Sequence, residues 1–351
     1  MPQTVRINAS KSYDVVIGGG ILDSVGEMCA ELFNGGKVVI ITDDKVADLY
    51  LARVRRSFKQ AGYEVISFIF KNGEESKNIG TLSDILEFMA ENQVTRSDTV
   101  AALGGGVAGD MAGFAAAVYL RGVRFVQIPT TLLAAVDSSV GGKTAVDLKA
   151  GKNLAGAFYQ PELVVCDYLT LDTLSPEVFS QGMAEVIKYG VIFDRELFDS
   201  LKDGSAKEKI ESVIKRCVEL KRDVVVADER DKGERQLLNF GHTIGHAVEK
   251  CSNFGISHGY AVAIGMVIAS KASYSKGWSE NDCTDEIISA LQSYSLPVKC
   301  EFTAQELFDV ALNDKKRAGA DIKLVIPERI GKCVLKKTAV GDVLEFIKRG
   351  I

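Results

Sequence analysis

Short hydrophobic runs alternate with helical patterns through the first half of the chain. The runs, typical of strands, occupy residues 38–42, 63–70, 99–103, 125–128 and 163–166, and the first of them is typical of a buried strand. Between them, residues 46–61 and 82–92 place apolar side chains on one face of a helix. Strands separated by helices of this length predict a parallel sheet with crossover connections.

The pattern changes at Ser175, where long helices replace the alternation. Ser175, Pro176 and Glu177 combine an N-cap residue, a first-turn proline and a first-turn acid, and so predict a helix start. Helical patterns then cover residues 176–193, 208–227, 235–250, 258–276, 284–294 and 304–314, and β-like segments lie at 323–327 and 331–335. We predict an α/β fold with a Rossmann-like parallel-sheet domain over residues 1–174 and a mostly helical domain over 175–351.

Composition narrows the class of protein. Of 351 residues, 46% are hydrophobic and 25% charged, which is ordinary for a globular chain and excludes a disordered or fibrous one. The net charge of −5 offers no field for nucleic acid, so we predict no nucleic-acid partner. No apolar stretch reaches the length of about 20 residues that a membrane span needs, and the amino terminus lacks the pattern of a secretory leader. Seven scattered cysteines predict a reduced, cytoplasmic protein.

A polar stripe crosses an otherwise apolar segment. On a helix, at about 100° per residue, Arg235, Asn239, His242 and His246 fall within roughly a 60° arc. A solvated helix face would be richer in Lys and Glu, so the stripe favours a functional site. The i, i+4 spacing of the two histidines lets both imidazoles reach one centre.

Two further features of this segment refine that prediction. Thr243 stands where zinc proteases of the H-E-x-x-H type have their glutamate, which argues against a protease. Gly241 and Gly245 each cost about 1 kcal/mol relative to Ala in a helix. Their presence predicts that another backbone or a ligand approaches closely.

A third histidine and a carboxylate complete a candidate metal site. His258 follows Ser257, a candidate N-cap, and an antiparallel helix pair would return it towards His242. Glu185 has apolar or small neighbours, and a lone charge there needs a partner. Two histidines and one carboxylate, with a position left open, form a catalytic zinc pattern. The alternative is a buried ion pair between Glu185 and Lys188 without metal.

A glycine-rich turn predicts a dinucleotide site. Residues 104–109 fit G-x-G-x-x-G between a strand and an apolar helix, where backbone N–H groups would hold a pyrophosphate. The sequence lacks the acid expected about 20 residues later. Asp43 and Asp44 follow an earlier strand instead, where they would hold a ribose. The site is therefore a variant of the standard fingerprint.

Several basic residues predict an anionic substrate. Gly142-Lys143-Thr144 resembles the end of a P-loop, but Asp137 stands where the first glycine is required, so Lys143 is interpreted as a substrate cation. The pair Lys152-Asn153 lies in a glycine-rich segment. Other candidate cations are Arg121, Lys188, Lys221, Arg235, Lys315 and Lys316. Together with the polar stripe, they favour a small substrate that carries phosphate and carboxylate.

Seven motifs resemble the 3-dehydroquinate synthase family. They are VVIGGGIL, GGGVAGDMAGFAAAVYLRG, IPTTLLAAVDSSVGGKTAVD, GKNLAGAFYQP, QGMAEVIKYG, LLNFGHTIGHAVE and SHGYAVAIGM, and they span nearly the whole chain in the family's order. The related sugar-phosphate cyclases and metal-dependent polyol dehydrogenases share the glycine loop and the metal frame but not the full set.

The resemblance implies a role for each matching residue. The metal ligands, for Zn²⁺ or Co²⁺, would be Glu185, His242 and His258. The catalytic residues would be Asp137, Lys188, Arg235, Asn239 and His246. The substrate would also meet Lys143, Lys152, Asn153, Lys221, one of Lys315 and Lys316, and Arg121 from across a homodimer interface. NAD would contact Asp43, Glu74, Lys77, Gly105, Gly106, Val107, Asp110, Thr130, Thr131 and Thr173, with Lys143 and Lys152 beside it.

The resemblance also implies a reaction. The family converts 3-deoxy-D-arabino-heptulosonate 7-phosphate to 3-dehydroquinate and phosphate in the shikimate pathway, through transient oxidation by NAD⁺, phosphate elimination, re-reduction and an aldol closure. Residues 1–174 would bind NAD, and residues 175–351 the metal and the substrate. Three alternatives stay open: another sugar-phosphate cyclase, a polyol dehydrogenase that releases NADH, and a non-enzymatic module that binds NAD or stores metal.

Overall fold

The computed structural model describes residues 2–33, 35–315 and 321–351, and the side chains of residues 312–315 lie outside the described part. Two compact units divide the chain. The first comprises Met1–Leu174 with Lys221–Arg230, and the second comprises Ser175–Leu220 with Asp231–Ile351.

A seven-stranded sheet forms the centre of the first unit. Its strands are β1 (Gln3–Asn8), β2 (Ser12–Gly18), β3 (Lys37–Asp43), β4 (Glu64–Phe70), β5 (Thr99–Gly104), β6 (Arg124–Pro129) and β9 (Leu163–Asp167), while β7 (Lys143–Leu148) and β8 (Gly151–Phe158) form a separate hairpin. The sheet order is β1-β2-β9-β6-β5-β3-β4. Within the seven-stranded sheet, as far as the structure describes it, only the β1–β2 pair is antiparallel, and β7 and β8 also pair antiparallel in their own hairpin.

Helices cover both faces of this sheet. They are α1 (Val25–Ala30), α2 (Asp44–Val46), α3 (Ala52–Gln60), α4 (Ile79–Glu91) and α5 (Gly106–Val118). Along β3, Val38 and Ile40 belong to one core with Val54 and Phe58 of α3. Val39 and Ile41 belong to the opposite core, which includes the apolar sides of α4 and α5. Because a parallel strand is buried on both faces, it has the continuous apolar sequence predicted above.

The second unit is mostly helical. Its elements are α6 (Pro176–Phe193), α7 (Arg195–Leu201), α9 (His242–Cys251), α10 (His258–Ser275), α11 (Thr284–Gln292), α12 (Ala304–Lys315), β10 (Asp321–Arg329), β11 (Lys332–Ala339) and α13 (Val340–Gly350). Helix α8 (Ile210–Ala227) enters the first unit at Lys221. Every residue of α10 from Ala261 to Ser270 is buried, and α10 packs against α6, α9, α11 and α13. A helix that is apolar on all sides occupies a core in this way.

The predicted fold class, a parallel α/β sheet followed by a mostly helical part, is confirmed. Ser175 caps α6 through its hydroxyl, which accepts a hydrogen bond from the amide of Val178 at 3.4 Å. Across the described residues, we find no helix with both the length and the apolar character needed to cross a bilayer.

Candidate metal centre and dinucleotide loop

The polar stripe predicted on one helix is divided between two elements. Arg235 and Asn239 lie in a 3₁₀ helix, Glu234–Asn239, and α9 begins only at His242. Between them Gly241 has a φ of 78°, a left-handed conformation that glycine adopts without steric cost. The continuous helix predicted over residues 235–250 was wrong, because this turn redirects the chain before the histidines.

Glycines let α9 and α10 approach until their backbones touch. A Cβ atom on Gly265 would lie 2.0 Å from the carbonyl oxygen of Gly241, and one on Gly245 would lie 3.0 Å from that of Ala261. A Cβ atom on Gly259 would lie 2.4 Å from a carbonyl oxygen of α6. The close approach predicted at Gly241 and Gly245 is therefore made by a backbone, and it brings α6, α9 and α10 together.

One residue from each of these three helices reaches a common centre. Glu185, His242 and His258 each offer a ligand atom within 4.8 Å of the others. Nε2 of His242 and Nε2 of His258 both lie 3.6 Å from Oε1 of Glu185. The two imidazole rings are 5.2 Å apart, centroid to centroid. The structure thus brings together the three residues that the resemblance assigns as metal ligands.

The orientation of both imidazoles fits a divalent cation. Nδ1 of His242 lies 3.1 Å from the carbonyl oxygen of Phe240, and Nδ1 of His258 lies 3.3 Å from Oε2 of Glu249. In the metal-bound form, a proton on each Nδ1 would leave both Nε2 lone pairs available to the cation beside Glu185. Two neutral imidazoles and one carboxylate form the donor set of a catalytic zinc site.

Lys188 forms a buried ion pair with Glu185. The two side chains are 2% and 1% exposed, and Nζ of Lys188 contacts Oε2 of Glu185. The ion pair considered as an alternative to a metal site therefore exists beside the two histidines. It occupies one carboxylate oxygen, while the other faces the imidazoles.

Burial and neighbouring charges shift the two histidines in opposite directions. Burial, followed by the Lys188 ammonium, lowers the pKa of His242 well below its usual value. Burial also lowers the pKa of His258, but the carboxylates of Glu185 and Glu249 outweigh it and raise the pKa to about 9. His242 is therefore neutral and ready to ligate at neutral pH, whereas His258 must release a proton when a metal binds.

His246 lies at the exposed side of the same cluster. Its ring centroid is 5.5 Å from that of His242 and 6.0 Å from that of His258. A second group of possible ligand atoms joins His246 and His258 with Glu249. Sequence reasoning missed Glu249, although its neighbours Ala247 and Val248 are as apolar as those that marked Glu185.

The remaining predicted residues of the second unit differ in burial. Arg235 is 1% exposed, one of the largest fully buried side chains, whereas Asn239 is exposed. The side chain of Lys315 and the whole of Lys316 lie outside the described residues.

The glycine loop in the first unit has the predicted context. Strand β5 ends at Gly104, Gly105 occupies the N-cap position and α5 begins at Gly106, followed by Val107. A Cβ atom on Gly104 would lie 3.7 Å from Oδ2 of Asp43, so the predicted ribose carboxylate is next to the loop. Asp43 also caps α2, since its Oδ1 accepts a hydrogen bond from the amide of Val46 at 3.0 Å.

Three threonines assigned to NAD lie at the ends of elements of the first unit: Thr130 and Thr131 follow β6, and Thr173 ends a 3₁₀ helix. The amide of Thr130 donates to the carbonyl oxygen of Gly104 at 2.9 Å. A Cβ atom on Gly105 would lie 3.1 Å from the methyl group of Thr131. Thr173 is hydrogen-bonded through its hydroxyl to the Tyr50 hydroxyl at 2.6 Å. Thr130 and Thr131 therefore border the glycine loop directly.

A buried lysine links predicted cofactor and substrate residues. Nζ of Lys77 lies 2.6 Å from Oδ2 of Asp110, 3.9 Å from Glu74 and 2.6 Å from Oδ1 of Asn153. Burial lowers the pKa of Lys77, but the carboxylates of Asp110 and Glu74 outweigh it and raise the pKa above its usual value. Asp147, which sequence reasoning did not select, accepts a hydrogen bond from the amide of Asn153 at 2.7 Å.

The other predicted substrate residues of the first unit are spread over several elements. Nζ of Lys221 donates to Oδ1 of Asp137 at 2.6 Å. Lys143 begins β7 and Lys152 lies near the start of β8. Arg121 is exposed, with a φ of 67°. The structure therefore joins Lys221 to Asp137 and places Arg121 at an exposed turn.

Sequence comparisons identify the family. A sequence model of the 3-dehydroquinate synthase N-terminal domain matches residues 67–181, and one of the C-terminal domain matches residues 182–317. The 3-dehydroquinate synthase of Clostridium acetobutylicum is 45% identical over 343 residues, which cover 96% of each chain. That of Streptococcus gordonii is 44% identical and covers 96% of this chain and 97% of its own.

Solved structures with the same fold agree with this result. The 2-deoxy-scyllo-inosose synthase complexed with carbaglucose-6-phosphate, NAD⁺ and Co²⁺ has a TM-score of 0.89 at 26% identity, covering 99% of this chain and all (100%) of its own. The 2-epi-5-epi-valiolone synthase of Streptomyces hygroscopicus, with NAD⁺ and Zn²⁺ bound, has a TM-score of 0.87 at 26% identity over 98% of both chains. Glycerol dehydrogenase of Schizosaccharomyces pombe, at 16% identity over 99% of this chain and 90% of its own, has a TM-score of 0.63 and shares the fold alone. The chain belongs to the 3-dehydroquinate synthase family.

Proposed function

We propose that the protein converts 3-deoxy-D-arabino-heptulosonate 7-phosphate to 3-dehydroquinate and phosphate, as an NAD- and metal-dependent carbon–oxygen lyase. Family membership supports the reaction. The observation that carries the chemistry is the convergence of Glu185, His242 and His258, with both Nε2 atoms 3.6 Å from one carboxylate oxygen.

Glu185, His242 and His258 would hold the metal ion. Zn²⁺ and Co²⁺ are both supported, since the two solved cyclases contain one or the other. The bound cation supplies Lewis-acid chemistry, polarising a substrate hydroxyl and favouring its alkoxide. The protein contributes a rigid support: the Phe240 carbonyl and the Glu249 carboxylate each hold an Nδ1 atom.

The glycine loop of the first unit would bind NAD. The amides at the start of α5 would bind the pyrophosphate, and Asp43, which lies beside Gly104, would bind a ribose. Lys77, held by Asp110, adds a fixed positive charge. NAD⁺ bound in this loop supplies a hydride acceptor that is regenerated within each turnover.

Buried cations would bind the anionic groups of the substrate. Lys188 and Arg235 are each 1% exposed, so their charges act in a medium of low dielectric constant. In the first unit, Asp137 fixes the direction of the Lys221 ammonium. Exposed His246, next to the other two histidines, would relay protons to and from the substrate. The chain thus supplies placement and charge compensation more than dedicated acids and bases.

Oligomeric state and compartment complete the proposal. The exposed Arg121 would reach the active site of a partner subunit in a homodimer. The seven cysteines all lie within the described residues and form no disulfide there, and we propose a reduced, cytoplasmic compartment.

The test is a phosphate-release assay with the heptulosonate phosphate, zinc and catalytic NAD⁺. We expect one phosphate per substrate consumed and no net formation of NADH. Accumulating NADH without phosphate release would instead identify a polyol dehydrogenase. Turnover with a hexose 6-phosphate but not with the heptulosonate phosphate would identify a different sugar-phosphate cyclase.

A further inference from the structure

Glu249 is a buried carboxylate on the helix that carries two of the histidines. It lies seven residues after His242 and three after His246, and it is 2% exposed. Burying a carboxylate is costly unless a charge or a hydrogen-bond donor compensates it. Oε2 of Glu249 lies 3.3 Å from Nδ1 of His258, so the imidazole provides such a donor.

His258 therefore lies between two buried carboxylates. Its Nε2 is 3.6 Å from Glu185 and its Nδ1 is 3.3 Å from Glu249. A neutral imidazole has one N–H and one lone pair. With the proton on Nδ1, the lone pair of Nε2 faces Glu185. The other tautomer would direct an N–H group at the place where a cation has to bind.

The two histidine ligands are supported in different ways. Nδ1 of His242 faces the backbone carbonyl of Phe240, which no substitution removes. Nδ1 of His258 faces a side chain, and helix α10 begins at His258 itself. A substitution of Glu249 can therefore remove the support of His258 while the support of His242 stays in place.

We propose that Glu249 is the positioning residue of the metal centre: its carboxylate accepts a hydrogen bond from the Nδ1–H of His258 and so fixes the tautomer and ring orientation that present Nε2 to the cation. This inference rests on the proposed function, because it assumes that Glu185, His242 and His258 bind the metal. Outer carboxylates of this kind raise the basicity of a ligating imidazole. Glu249 and Glu185 also supply two negative charges against a divalent cation.

A different role for Glu249 makes a different prediction. His246, Glu249 and His258 also form a group with ligand atoms within 4.8 Å. If Glu249 ligated a second ion there, Nδ1 of His258 would lose the proton that the positioning role requires. The full chain would then bind two ions, and loss of Glu249 would remove one of them.

The experiment measures metal affinity directly in the metal-stripped full chain. Zn²⁺ is titrated against a chromophoric chelator, and the Co²⁺ absorption spectrum reports the ligand geometry. The variants are Glu249→Gln, which keeps the shape and a weaker acceptor, and Glu249→Ala, which removes the acceptor. Ser252→Ala is the control. It removes a hydroxyl that donates to the backbone carbonyl of Glu249 at 2.8 Å and accepts from the amide of Ile256 at 3.0 Å, so it alters the end of α9 but leaves the Glu249 carboxylate in place.

We expect Glu249→Gln to weaken Zn²⁺ binding by about 10–100-fold and Glu249→Ala by more. The Co²⁺ spectrum should change in both variants, NAD⁺ affinity should stay the same, and the control should keep its zinc affinity. Thermal unfolding of the metal-free proteins verifies that each variant is folded. If Glu249→Ala does not fold, the isosteric Glu249→Gln variant carries the test.

Unchanged zinc affinity in folded Glu249→Gln would overturn the inference, and so would a wild-type stoichiometry of two ions that falls to one in this variant. A wild-type chain that takes up no zinc would overturn the ligand assignment as well. A chain that binds zinc tightly, loses it in the variants and releases no phosphate would refute only the proposed reaction.

Discussion

Individual charged residues in apolar surroundings were the most informative signals in the sequence. Glu185 was selected because no solvated role suits a lone carboxylate in that segment, and the structure places it 1% exposed beside two histidines. Glu249 follows the same logic but was missed. Lys250 and Cys251 come directly after it, so the end of α9 resembles a solvated helix end. Burial of Glu249 depends on how closely α10 packs against α9, which no local pattern reveals.

Replacement of Lys188 should separate metal binding from turnover. The Lys188→Met variant keeps the apolar stem but removes a charge that is 1% exposed and pairs with Glu185. We expect kcat to fall by about 10²–10³-fold, the effect of losing one fixed charge-stabilising donor in an active site. Zinc content and NAD⁺ affinity should be retained, because Lys188 is not one of the assigned ligands.

Lys271→Met is the matched control for this prediction. Lys271 lies on the buried helix α10 of the same unit, but its ammonium is exposed and donates to the carbonyl oxygen of Ile351 at 2.6 Å. Its kcat should equal that of the wild type. An unchanged rate in Lys188→Met would exclude Lys188 from the active site.

At the scale of elements, the local sequence pattern predicted the strands and helices whose buried positions are occupied by an uninterrupted or periodic set of apolar residues. The runs in β3 and β5 are buried along nearly their whole length. The hairpin of β7 and β8 was not predicted, because β8 contains two glycines and no buried residue, and its pairing with β7 involves no distinctive apolar alternation. The break at Gly241 was missed for a similar reason. It depends on the backbone of α10, which is distant along the chain.

The close packing of α9 on α10 should be sensitive to a single methyl group. In Gly265→Ala the new Cβ would lie 2.0 Å from the Gly241 carbonyl oxygen and 2.9 Å from the Gly245 amide nitrogen. Since both neighbours are backbone atoms, the helices must move apart. We expect a loss of about 1–3 kcal/mol in the free energy of unfolding, as in other overpacked cores. Zinc affinity should also fall, because α9 carries His242 and α10 carries His258.

Gly341→Ala provides the comparison at a helical glycine with space. A Cβ atom there would meet no atom within 4 Å. Urea unfolding should show stability unchanged or raised by up to about 1 kcal/mol, the difference in helix propensity between Gly and Ala. Equal effects of the two substitutions would contradict the packing argument.

At the scale of the whole molecule, the two kinds of candidate chemistry belong to different units. The glycine loop, Asp43, Lys77 and Asp110 lie in the first unit, while all three assigned metal ligands lie in the second. The segment Lys221–Arg230 belongs to the first unit although it follows Ser175 in the chain. Sequence pattern gives no sign of this, because α8 continues through Lys221 with an unbroken helical periodicity.

Metal removal should therefore separate phosphate release from NAD⁺ binding. Chelation of the full chain is expected to abolish phosphate release and to lower the midpoint of thermal unfolding. A ligand at 100 times its Kd stabilises the folded state by about 2.7 kcal/mol, and that contribution disappears with the metal.

NAD⁺ binding, followed by calorimetric titration, should persist in the stripped protein because the glycine loop belongs to the first unit. Zinc or cobalt should restore turnover, whereas Mg²⁺, which prefers oxygen ligands, should not. Full turnover in protein with no detectable metal would refute the assignment of Glu185, His242 and His258, and loss of NAD⁺ binding on chelation would refute the separation between the units.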